Sequence, residues 1–124
     1  MAVNPVGTRI YLQPAGMVLG TINDLIEMQG ATVTLSDSKQ GKVCYCVSLY
    51  GFMREYRFSV DNIEKMRCVV RLEIGDMELE EPEKEVMIQR QFALLDSMLV
   101  INAERVVERQ REQLAVNRKD EARR

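Results

Sequence analysis

The segment that follows Pro82 constrains the fold most, because Glu83 to Arg124 contains neither glycine nor proline. Strong helix formers dominate this stretch, chiefly glutamine, arginine, glutamate, leucine, alanine and methionine. Pro82 suits the first turn of a helix, where its missing N–H group is not needed. The glutamates around it favour the positive end of the helix dipole. We therefore predict one helix over residues 82–119.

The predicted helix has a wide apolar face between Val86 and Val107. The candidate partner-binding residues on this face are Ile88, Phe92, Leu95, Met98, Leu99 and Val106. Such a helix spans roughly 55 Å, whereas the residues before it would fold into a domain ~30 Å across. Two interpretations follow. The helix packs on its own sheet and ends in solvent, or its apolar face also contacts a second copy or another protein, which the width of the face favours.

The first half of the chain has the alternating pattern of short strands. The predicted strands cover residues 9–13, 31–36, 42–50, 54–60 and 68–74. Gly51 allows a tight reversal, so residues 42–60 are predicted to form a hairpin. Tyr45, Tyr56 and Phe58 lie on its apolar side and are expected in the core. Residues 61–64 are predicted to form a brief helical turn.

Residues 17–29 fit two patterns. As a strand, the segment places Val18, Ile22 and Ile26 on one side. As a helix, it aligns Leu19, Ile22 and Ile26 at steps of three and four. The strand is slightly favoured, because Gly20 weakens a helix.

The order of these elements resembles an SH3-like small barrel over roughly residues 9–74. Barrels of this kind read peptides, bind nucleic acids or join subunits, and the resemblance implies one of these roles. The predicted fold class is therefore α+β. Residues 1–75 form a small SH3-like β-barrel or a curled antiparallel sheet, residues 76–81 an acidic linker, and residues 82–124 a long amphipathic C-terminal helix with a polar tail.

The composition argues against several kinds of site. The chain has no histidine, which removes the commonest general base and metal ligand. Cys44 and Cys46 share one face of a predicted strand, and with Cys68 they make an odd count that does not suit a disulfide framework. No apolar run approaches the ~18 residues of a membrane span. We expect a cytoplasmic protein with reduced thiols, no catalytic residues, no metal site and no cofactor.

The predicted hairpin tip carries an aromatic and basic set, formed by Tyr50, Phe52 and Arg54. Tyrosine and arginine are enriched where proteins bind partners. We therefore predict a small non-enzymatic assembly or adaptor protein that contacts itself, as a homo-oligomer, or another protein. A phage or mobile-element origin would suit so compact a chain. The alternative is a nucleic-acid-binding regulator that uses the same aromatic and basic face; no membrane partner is expected.

Overall fold

The computed structural model describes residues 6–49, 51–75 and 79–122. Within them the chain forms, in order, β1 (Val6–Tyr11), α1 (Ala15–Met28), β2 (Thr32–Asp37), β3 (Lys42–Leu49), β4 (Phe52–Glu64), β5 (Arg67–Ile74) and α2 (Glu81–Ala122). The five strands form one antiparallel sheet in the order β1-β5-β4-β3-β2. The predicted α+β class, a curled antiparallel sheet followed by a long helix, is confirmed.

The sheet is open rather than closed. Strands β1 and β2 form its two edges, and neither edge pairs with the other in the described part of the chain. The resemblance to an SH3-like barrel is therefore wrong. A barrel requires the edges to meet, whereas here the inner face of the sheet packs against both helices, which supply part of the same core.

Helix α1 corrects the prediction of a strand over residues 17–29. Its buried side chains recur at steps of three and four, and include Val18, Ile22 and Leu25. Two features mark the ends of α1. The Pro14 carbonyl accepts the Val18 N–H at 3.3 Å, and Gly30 adopts a left-handed φ of 64° just beyond the last turn. Gly20 faces open space, so it weakens the helix without preventing it.

Residues 61–64 continue strand β4 instead of forming the predicted helical turn. They pair with β5 through a register shift between Asn62 and Glu64. The Asn62 Oδ1 atom accepts the Ala15 N–H at 3.1 Å. One of the free N–H groups at the start of α1 is thus satisfied from a neighbouring strand, which gives the extended conformation a role that local sequence does not reveal.

Helix α2 is continuous over 42 residues, and the predicted long C-terminal helix is confirmed. Its first half lies against the inner face of the sheet, where Ile88, Phe92, Leu95 and Leu99 are buried. Helix α2 passes so close to β1 that position 7 requires glycine. A Cβ atom there would lie 2.7 Å from Phe92 Cε2 and nearer still to Ile88 Cγ2.

The second half of α2 extends beyond the sheet. At about 1.5 Å per residue the whole helix is roughly 63 Å long, and every described side chain from Glu104 to Asn117 is exposed. Across the described residues, neither helix has a stretch apolar enough to span a bilayer.

We predict opposite effects of alanine at two glycines. Gly7→Ala would force β1 away from α2 and lower the free energy of unfolding by about 1–3 kcal/mol. Gly20→Ala, on the open side of α1, would raise it by about 0.5–1 kcal/mol. Urea denaturation of the two variants beside the parent protein measures both effects, and a Gly7→Ala variant as stable as the parent would contradict the close packing.

Candidate ligand-binding site

Aromatic side chains fill the space between the sheet and α2. The Tyr45 ring stacks on Tyr56 and Phe58 at centroid distances of 5.4 and 6.0 Å, and Phe58 meets Phe92 of α2 edge to face at 6.1 Å. All four residues are buried, which confirms the prediction that the three hairpin aromatics belong to the core. A ligand therefore has no room at this central position.

A buried hydrogen-bond network anchors α2 over these aromatics. The Tyr45 hydroxyl donates to Gln91 Oε1 at 2.6 Å, and Gln91 exchanges two further bonds with Gln29 at the end of α1, at 2.9 and 3.0 Å. Burial is the main cause that raises the pKa of Tyr45 far above its ordinary value. The phenol is thus held neutral as a donor, and the network links the sheet and both helices.

A large opening lies at the β1 edge of the sheet. We call it the edge groove: an open space of about 800 Å³ between the end of β1 with the loop after it, residues 10–13, and the part of α2 from Asp96 to Arg111. Its apolar walls are formed by Ile10, Leu12, Leu99, Val100, Ala103 and Val107. Leu12 is 75% exposed and Val100 59%, so much of this apolar surface faces solvent.

A polar group stands at one end of the edge groove. The Tyr11 hydroxyl donates to Asp96 Oδ1 at 2.6 Å, while Arg9 bonds the other carboxylate oxygen of Asp96 and donates to Gln89 Oε1 at 2.8 Å. Arg9 also lies 4.8 Å from the centre of the Phe92 ring. Burial, and then the hydrogen bond to Asp96, raises the pKa of Tyr11 well above its ordinary value. The phenol thus remains protonated at neutral pH.

The remaining polar lining of the edge groove consists of Gln13, Glu104, Glu108 and Arg111. The Gln13 Oε1 atom is buried and has no hydrogen-bond partner among the described residues. Glu104 and Glu108 lie one turn apart on α2 and are exposed. The groove therefore combines apolar walls with a few polar groups, the usual composition of a small-molecule site.

A second groove, of about 760 Å³, lies further along β1. It runs from Val6 and Gly7 to Pro82, Val86 and Ala93 on α2. Arg9 bonds one lining residue of each groove, Gln89 of the second groove and Asp96 of the edge groove. Within the described ranges, no three cysteine, aspartate or glutamate side chains are grouped so that they could hold a metal ion.

The residues predicted to bind a partner are placed in three different settings. Ile88, Phe92, Leu95 and Leu99 are core residues that the protein's own sheet and α1 cover, so a partner cannot reach most of their surface. Met98 packs partly on this core, and Val106 is 44% exposed. At the hairpin tip, Tyr50 and the Phe52 side chain lie outside the described residues, and Arg54 is half-buried.

Of the residues that form the edge groove, sequence reasoning named only Leu99 as a candidate and missed the others. Tyr11 and Asp96 are separated by 85 positions, and Gln13 follows a strand with no local pattern that marks it. The one available signal was Asp96 itself, a charged residue inside the apolar part of α2. Such a residue needs a partner, and the fold supplies Arg9 and Tyr11.

No protein-family model matches the sequence, and no curated protein matches it. Among solved structures, the chain is similar to an uncharacterized protein from Bacillus thuringiensis at 8% identity, with a TM-score of 0.55, over 78% of this chain and 96% of that one. It is also similar to a START superfamily protein from Mycobacterium smegmatis, at 12% identity with a TM-score of 0.44 over 82% and 97% of the two chains. The Zhui aromatase/cyclase from Streptomyces sp. R1128 matches at 13% identity with a TM-score of 0.43 over 84% and 95%.

The fold corrects the functional predictions. The adaptor rested on a small barrel with an apolar helix that its own domain could not cover, and the nucleic-acid-binding regulator offered as its alternative rested on an aromatic and basic face of that barrel. The described strands form an open sheet and not a barrel, and this sheet covers the first half of α2. The prediction that the chain is not an enzyme is wrong in its premise, since it treated the chain as one without a site, whereas the described residues form the edge groove.

The Tyr45–Gln91 bond predicts a measurable coupling. Gln91→Leu would leave a buried phenol without an acceptor and lower the free energy of unfolding by about 1–3 kcal/mol. Combining it with Tyr45→Phe would cost less than the sum of the two single changes, because both polar groups are then removed. A double-mutant cycle by urea denaturation measures this, with Gln113→Leu on the exposed helix end as the control. Strict additivity would contradict the network.

Proposed function

We propose that this protein binds a small, largely apolar molecule in the edge groove. One observation carries the proposal: apolar side chains from β1 and α2 face each other across an open space of about 800 Å³ and leave it unfilled. Ligand pockets commonly have volumes of roughly 300–1,000 Å³ with mainly apolar walls and few polar groups. The edge groove has this size and this composition.

Energetics support a ligand at this position. Burial of apolar surface is favourable by about 25 cal/mol for each Å² removed from water. Leu12, Val100 and Val107 are between 45% and 75% exposed, and they are grouped on one surface instead of being scattered. Contiguous apolar patches of this kind commonly mark binding sites. A molecule lying between β1 and α2 would cover both walls at once.

The aromatic core explains why the site lies at the edge. Tyr45, Phe58 and Phe92 occupy the space beneath α2, so the interior is closed to a ligand. Beyond Leu99 the helix continues without a sheet beneath it. The edge groove begins where this support ends, and its walls are formed by α2 and by the end of β1 with the loop after it.

A second function, chemical conversion of the bound molecule, is favoured by the polar contact between Tyr11 and Asp96 in the groove lining. The Asp96 carboxylate is a group of the kind that serves as a general base, while the raised pKa of Tyr11 limits the phenol to donating the 2.6 Å hydrogen bond that holds this carboxylate in place. Mass spectrometry of a ligand recovered after incubation with the protein distinguishes the two functions. A chemically unchanged ligand supports binding alone.

We place the protein in the cytoplasm, which is supported by three thiols that form no disulfide.

Blocking the edge groove should abolish binding. Ala103→Phe would fill the space between the walls, and we expect it to reduce binding of the neutral apolar dye Nile red at least tenfold. Val106 lies on the same helix outside the groove, so Val106→Phe adds the same ring without blocking the site. Fluorescence titration of both variants and the parent protein makes the comparison.

Two results would overturn the proposal. Equal dye binding by the parent and Ala103→Phe would show that the dye does not use the edge groove. Light scattering supplies the other test: a parent dimer that Ala103→Phe dissociates would show that a second copy of the chain, and not a small molecule, occupies the groove.

A further inference from the structure

The polar groups that line the edge groove are mainly hydrogen-bond acceptors. Asp96, Glu104 and Glu108 contribute carboxylates, which accept and do not donate when ionised. Arg111, at the far end of the groove, is the one cation among the described residues that line it. The lining carries three acidic groups and one basic group, so its chemistry favours a ligand rich in donors.

The three carboxylates differ in how they are satisfied. Asp96 is held by Tyr11 and Arg9 on its two oxygens, so it has little need of a ligand. Glu104 and Glu108 form no ion pair with any residue whose side chain the structure describes. They lie at i and i+4 on the same face of α2, where like charges disfavour the helix. A cation placed between them would relieve this repulsion.

Gln13 adds an unmet acceptor on the opposite wall. Its Oε1 atom is removed from solvent and has no donor within the described structure. A buried polar group without a partner costs free energy, and a donor that reaches it recovers that cost. Because this oxygen is removed from solvent, a ligand's donor meets it only after the Gln13 side chain turns toward the groove, so the two glutamates on α2 are the main reason for a donor-rich ligand.

We propose that the edge groove takes an amphiphilic amine, a molecule with an apolar body and a positively charged ammonium head. This inference rests on the proposed binding function and narrows it to one ligand class. An ammonium group offers three donors and no acceptor, which matches the lining. The apolar body would lie along Leu12, Val100 and Val107, with the head toward Glu104 and Glu108. A carboxylate ligand would instead bring an anion beside two glutamates.

Three ligands of equal chain length test the inference: decylamine, decanol and decanoate, titrated by calorimetry at pH 7 and low salt below their micelle concentrations. We expect decylamine to bind about tenfold more tightly than decanol, a difference equal to about 1.4 kcal/mol. Decanoate should bind most weakly. The double variant Glu104→Gln/Glu108→Gln should lose about tenfold in affinity for decylamine and keep its affinity for decanol.

Glu112→Gln is the matched control, since Glu112 is exposed on the same helix and does not line the groove. It should leave all three affinities unchanged. Equal binding of the three ligands would overturn the amine inference while leaving the apolar site intact. A decylamine preference that survives in the double variant would overturn it as well, because the attraction would then come from the overall negative charge. Failure of all three ligands and of Nile red would overturn the proposed function itself.

Discussion

The packing of one face of α2 on the inner face of the sheet determines the rest of the structure. Ile88, Phe92, Leu95 and Leu99 are buried there together with the inward side chains of β3, β4 and β5. Burying a large apolar side chain stabilises a fold by about 1.5–3 kcal/mol, so this stripe is a major source of stability. Every other element adjusts to it. Strand β1 carries glycine where it passes the helix, and α1 fills the space that remains.

This packing also decides where a ligand can bind. Because the helix sits on aromatic rings and the Tyr45–Gln91 network, the centre of the fold is occupied. The helix then continues past the sheet, and its next turns have a neighbour on one side only. The edge groove follows from this difference in length between α2 and the sheet. It is bordered at one end by the charged contacts of Arg9 and Asp96.

The sequence was most informative where a side-chain pattern is local. The alternation of apolar and polar side chains predicted β3 and residues 54–60 of β4. The stretch after Pro82 predicted α2 almost to its observed ends. The pattern failed at α1, where Gly20 suggested a strand although Pro14 and Gly30 bracket a helix. It also failed for the site. Asp96 meets Tyr11 and Gln13 only through the tertiary fold, and no spacing along the chain predicts that contact.

The position of β1 has a consequence for how the chain acquires its fold. This strand is the first element that the structure describes, yet it pairs with β5 and packs on α2, and Arg9 and its partner Asp96 are 87 positions apart. During synthesis β1 must therefore remain unpaired until β5 has been made, and it meets its partners on α2 only after that. Such long-range closure is slow. The chain should therefore be prone to aggregation in the interval before α2 packs on β1.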